Sequence, residues 1–232
     1  MQIKHRQAGY RQAGTRQAGF TLVEIAIVLV IIGLLLGGIL KGQEMITQAR
    51  IKNVINDFNG ITAAYFSYQD RYRAIPGDDA GAVARWTLGA PGTSATAGNG
   101  VLEGTWNAAT AAAEPETRLF WWNLRSAGFI AGPTAPAAQA AAQPTNAFGS
   151  MIGAATGTGA ATLSLSGLII CSSGIPDKVA IAVDTQMDDQ NAGTGSLRAI
   201  VGGSTTALAA LAVPPLNYVE TGSTQYLMCR GV

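Results

Sequence analysis

Histidine is nearly missing from this chain. The single one, His5, sits within the first 19 residues, among Lys4, Arg6, Arg11 and Arg16, and none follows. Everything after that stretch lacks the side chain that serves Ser-His-Asp triads, proton shuttles near neutral pH and His-ligated metals. Charge is scarce too. Only 12% of the 232 residues are Asp, Glu, Lys or Arg, against ~25% in an average globular domain. The net charge of +1 gives no general basic surface for nucleic acid. The charge is unevenly placed, however: residues 1–19 hold four basic residues and no acid, which leaves 11 basic and 14 acidic residues beyond them. Cysteine is limited to Cys171 and Cys229, both in the C-terminal half. In an exported protein such a pair reads as one disulfide; in a cytosolic one, as two unrelated buried thiols. No nucleophile–base pair and no phosphate loop stands out, Gly98-Asn99-Gly100 reading simply as a turn, so no enzyme is expected.

What is present is an unusual N-terminal third. Arg-Gln-Ala-Gly ends at Gly9, Gly14 and Gly19, and only the third copy runs into an apolar segment. Phe20 to Leu40 supplies 21 residues whose one charge is Glu24. About 20 apolar residues cross ~30 Å of hydrocarbon, and the basic flank keeps the N-terminus cytoplasmic. A secretory signal peptide is the competing reading, but it needs a small-residue cleavage site after the apolar stretch. Here the stretch runs into Lys41-Gly42-Gln43-Glu44, and an acid within it is foreign to such a signal.

Helical periodicity continues past the apolar segment. Ile51, Ile55, Phe58, Ile61, Tyr65, Tyr68 and Tyr72 recur at steps of three and four, one stripe on an otherwise polar helix. Ile75-Pro76-Gly77-Asp78-Asp79 ends it, because Pro76 forces Ile75 out of helical geometry and Gly77 permits a turn. One helix from Phe20 to about Tyr72 would measure roughly 80 Å at 1.5 Å per residue.

The remaining residues, 76–232, are enough for their own core. Asp78 or Asp79 is expected to cap a short helix reaching Trp86, and Glu114-Pro115-Glu116 to open another that stops at Gly128. Leu163–Cys171, Leu197–Val201 and Gln225–Cys229 read as strands, and 176–187 as a helix. The Ala-, Gly-, Thr- and Pro-rich stretches 89–100, 131–147 and 153–162 read as exposed loops. The tryptophans, Trp86, Trp106, Trp121 and Trp122, are expected in the core rather than on a ligand surface.

Gly19-Phe20-Thr21-Leu22-Val23-Glu24 followed by an apolar run resembles the processing site of type IV prepilins and type II secretion pseudopilins. The likeness extends more loosely to the Ile-Pro-Gly-Asp turn, and scattered later features (Trp86, Trp121-Trp122 with Ala127-Gly128, Asp184 with Asp188-Asp189) are similar to those of large pilin-like proteins. It implies a leader at 1–19, a transmembrane half-helix at 20–40, an amphipathic half at 41–75 and a globular domain at 76–232. It also implies cleavage between Gly19 and Phe20 by a membrane prepilin peptidase, and N-methylation of Phe20. Anchoring would be in a bacterial inner membrane, with the C-terminal domain periplasmic, before an inner-membrane assembly platform adds the chain to other pilin or pseudopilin subunits. The fold implied is pilin-like α+β, a long N-terminal helix packed on a small antiparallel sheet.

Glu24 then has two readings. An acid beside lipid costs about 2–4 kcal/mol and marks a function, and the resemblance implies that its carboxylate meets the Phe20 ammonium of a neighbouring subunit. Thr21-x-x-Glu24 also has capping-box spacing, and an acid in the first turn suits the helix dipole. One departure bears on the role: major pilins usually carry proline at the position of Lys41. Gly33, Gly37, Gly38 and Gly42 offer helix weakness instead. The sequence thus points to a minor subunit of a type IV pilus. A type II secretion pseudopilin is the first alternative, and a tip adhesin or DNA-uptake pilin the second. Asp184, Asp188, Asp189 and Asn191 form an oxygen-rich cluster suited to calcium, the bland alternative being a solvated acidic turn.

Overall fold

The computed structural model describes residues 19–87, 94, 96–108, 115–136, 140–157, 163–203 and 217–232. Except for Gly19, the expected leader lies outside them, as do Glu114 and parts of all three expected loops. The chain divides after Met45 into two units, each described by itself.

Helix α1 runs Leu22–Tyr72 without a break at its glycines. In the N-terminal unit its side chains are exposed on every face: Leu22, Val28, Ile32 and Leu36 all stand open. Among the described residues it is the one helix long and apolar enough to cross a membrane.

In the C-terminal unit five of the seven expected stripe residues are buried; Ile55 and Tyr72 are half-buried at its margin, and Val54 and Ala64 join it. Ile51, Val54, Phe58, Ile61, Ala64, Tyr65 and Tyr68 point into the core, spaced by three and four residues as one helix face requires. They pack on a four-stranded antiparallel sheet of β1 (Ile152–Gly157), β2 (Gly167–Pro176), β3 (Leu197–Val201) and β4 (Gln225–Gly231), in the order β1-β2-β4-β3. The fold is α+β, as the sequence implied. Short helix α2 (Ala82–Arg85), α3 (Glu116–Ser126) and α4 (Asp177–Met187) complete it.

The sheet is covered on both faces, and strand alternation decides which residue goes where. On β2 and β4, Leu168, Ile170, Tyr226 and Met228 face α1. Ile169, Cys171, Leu227 and Cys229 face the other way, into a second cluster closed by Trp106, Leu163 and Leu165. Trp106, Trp121 and Trp122 are fully buried, as expected of core tryptophans. Trp86 is half-buried in an edge-to-face chain with Tyr72 and Trp122.

Three local expectations need correction. Residues 153–157, read as loop, form most of β1. Their smallness reflects close approach: a Cβ on Gly153 would overlap the Trp106 carbonyl oxygen, and one on Gly157 the side chain of Ile169. β2 begins four residues later than expected because Leu163 and Ser164 turn with positive φ, and it runs on to Pro176. Neither Asp78 nor Asp79 caps α2, whose N-cap is Gly81 without a side-chain bond.

Candidate functional site

The apolar segment and its flank are built from a few local contacts. Gly19 leaves open space where a Cβ would stand, and Phe20 is 83% exposed. Thr21 is the last residue before α1 begins. Its backbone N–H and its hydroxyl both donate to Glu24 Oε2 at 2.8 Å, and the Glu24 N–H returns to Thr21 Oγ1 at 3.3 Å. These are the reciprocal bonds of a capping box, which satisfies donors that a helix start leaves orphaned. The local reading of Glu24 is therefore realised in the single chain. Lys41 pairs with Glu44 at 2.8 Å, both well exposed, at the end of the apolar segment.

Cys171 and Cys229 are disulfide-bonded, each the direct partner of the other across β2 and β4. The acidic cluster is also held together locally. Asp184 is fully buried and accepts from the Gln190 N–H at 2.9 Å and the Tyr218 hydroxyl at 2.5 Å. Asp188 takes the Leu197 N–H at 2.7 Å, Asp189 the Thr194 hydroxyl and the Asn191 N–H, and Asn191 the Gly193 N–H. Burial pushes the Asp184 carboxyl above its ordinary range, with the charges of Asp188 and Asp189 adding to it and the two hydrogen bonds opposing. Asp189 is lowered, first by the Thr194 hydroxyl. Each carboxylate thus has partners among backbone amides and hydroxyls. Among the described residues no group of three or more His, Cys, Asp and Glu is arranged to hold a metal.

Two roles escaped the sequence. Asp78 accepts the N–H groups of Gly98, Asn99 and Gly100, pinning a loop some 20 residues on. Asp79 accepts from the Tyr68 hydroxyl at 2.6 Å, from the Gly81 N–H at 2.8 Å and from Arg85. The Tyr68 hydroxyl is pushed far up by burial, the neighbouring Asp79 adding to it. The Pro-Gly-Asp-Asp run signals a turn, but nothing local reveals which distant amides its acids will meet.

Residues 14–40 match the model of the prokaryotic N-terminal methylation motif, the signature of type IV prepilins and pseudopilins. A motif of this kind implies, in general terms, peptidase processing and assembly with other pilin-type subunits, and with the apolar helix it is consistent with inner-membrane anchoring. No curated protein and no solved structure matches the chain.

Proposed function

We propose that the chain is a low-abundance structural subunit of a type IV pilus. It is cut between Gly19 and Phe20 by a prepilin peptidase and N-methylated at Phe20. It is held in the inner membrane by residues 20–40 and handed by an assembly platform to a filament of other pilin subunits. The observation that supports this reading most is the coincidence of three features in one place. The methylation motif overlies the apolar first half of α1, exposed on all sides up to Leu40, and the one charge of residues 20–40, Glu24, sits in the first turn. A helix apolar on every face is stable only in lipid or among other such helices. A filament core offers the second environment once the subunit leaves the first. The large C-terminal unit and the absence of proline at Lys41 support a minor place in the filament. A type II secretion pseudopilin is the second reading, favoured by the same motif.

Two measurements on one culture test the proposal. Intact-mass analysis of the membrane-extracted chain is expected to show a start at Phe20 bearing one methyl group; an uncut Met1 overturns processing. Quantitative mass spectrometry of sheared surface filaments is expected to find the chain as a minor species. Its dominance there overturns the minor role, and its absence overturns the filament.

A further inference from the structure

Beside α1 in the C-terminal unit lies a groove of about 250 Å³, walled by Ile61, Trp121, Phe129, Ile130 and Ile152 with Asp57 along one side. Its chemistry is one-sided. The walls are mostly apolar, with Asn56 and Thr145 the other polar side chains on them, and Asp57 is a partly buried carboxylate with no hydrogen bond or ion pair among the described residues. Burial raises its pKa, with no cation among the described residues bringing it down again. The five fully buried acids of this unit are all satisfied: Asp78 by three amides, Asp79 by Tyr68 and Arg85, Glu116 by the Thr96 hydroxyl and the Glu103 N–H, Asp177 by Thr221 and Gly222, and Asp184 by Tyr218 and Gln190. A fold that pairs those five yet leaves the half-buried Asp57 without a partner in a mostly apolar groove carries an electrostatic cost within the single chain. That cost is relieved by an incoming group with a positive end and an apolar stem.

We propose that this groove receives a lysine or arginine side chain of a neighbouring pilin-type subunit, its stem along Ile61, Phe129 and Ile130 and its cation on the Asp57 carboxylate. The proposal rests on the filament reading above. Both basic side chains suit the site because their methylenes cover apolar surface while the head stays polar. The contact adds an intersubunit register mark on the C-terminal unit, separate from anything Glu24 does.

The test places a photo-crosslinking amino acid at Asn56, exposed on the groove's rim, in the full-length chain in cells, with and without Asp57→Asn. The expected result is an adduct to another pilin-type subunit beside a lysine or arginine, reduced about tenfold by Asp57→Asn, as losing a hydrogen bond to a charged group predicts. Exchanging that partner residue for Asp in an Asp57→Lys background restores the adduct. Asp57→Asn removes a charge without a partner, so the detergent-extracted variant unfolds at the same temperature or higher, which separates a lost contact from a lost fold. An adduct equally strong in Asp57→Asn, an adduct to something other than a subunit, or no adduct at all overturns the proposal. Shearing the same cells reads incorporation independently: a chain missing from filaments defeats the filament reading, whereas an Asp57-dependent adduct in the membrane fraction still supports the groove.

Discussion

Cys171 and Cys229 face each other directly across β2 and β4, Cα atoms 4.0 Å apart, and their bond closes a separation of 58 residues. It lies on the sheet face away from α1, beside Ile169, Ile200 and Leu227, and both cysteines are fully buried. Closing a loop of this length restricts the unfolded chain by about 4 kcal/mol in the entropy model. It also fixes register, since a one-residue slip of β4 would turn Tyr226 and Met228 away from α1. Replacing both cysteines by alanine is expected to lower unfolding stability by about 2–4 kcal/mol, read as the denaturant midpoint of the detergent-extracted chain. Two thiols labelled after denaturation without reductant would show that the bond is not made in the cell.

Gly153 has a different kind of importance. Its strand pairs with β2, and its Cα side lies against the Trp106 carbonyl, with Gln143 donating to the same oxygen. Gly153→Ala puts a methyl group into backbone rather than into a yielding side chain. The expected loss is about 1–3 kcal/mol, as for other overpacked sites, measured as a shift in denaturant midpoint. Gly203→Ala, where a Cβ meets nothing within 4 Å, is the control and should shift it little. Equal effects at the two positions would remove the close-approach explanation of β1.

How far the sequence is legible depends on where the determining contact lies. α1 and the direction of its buried face were readable because periodicity records that face, though Val54 and Ala64 are buried where Ile55 and Tyr72 were expected, and Leu197–Val201 because a short apolar run needs no distant information. The disulfide was readable as a pairing of the only two cysteines once export was accepted. β1 was not, since Gly-Ala-Ala-Thr-Gly has the composition of a loop and becomes a strand only because Trp106 and Ile169 come so close. The capping box of Thr21 and Glu24 was legible from spacing alone. Asp57 was not: on a polar helix face it looks like any solvated acid until Trp121, Phe129 and Ile130 arrive from far along the chain.

Asp78 offers a prediction of the same long-range kind. Only 4% exposed, it is the acceptor for three consecutive backbone amides at 98–100. Asp78→Ala leaves those donors to find water, at a cost of about 1–3 kcal/mol if they stay partly buried. Amide hydrogen exchange is the sharper readout: residues 98–100 should exchange markedly faster while β2 and β4 keep their protection. Unchanged exchange at 98–100 would mean the loop is held by something other than Asp78.

Glu24 can be resolved by two substitutions, because its two roles ask for different chemistry. Within one chain the side chain accepts from the Thr21 N–H and hydroxyl. Glutamine does this nearly as well, since a capping box accepts Glu or Gln at that position. Pairing with a neighbour's Phe20 ammonium needs the negative charge, which neither Gln nor Ala carries. An ammonium left alone in a water-poor core is costly, whereas losing the cap costs about 1 kcal/mol. If Glu24 aligns subunits, Glu24→Gln and Glu24→Ala should both be cut at Gly19, accumulate in the membrane and vanish from sheared filaments. If it only caps α1, Glu24→Gln should enter filaments like the unmodified chain and Glu24→Ala should be only mildly impaired. Immunoblots of sheared and membrane fractions distinguish the patterns. Normal entry of the Gln variant would end the assembly role, and with it the reason for keeping an acid beside lipid.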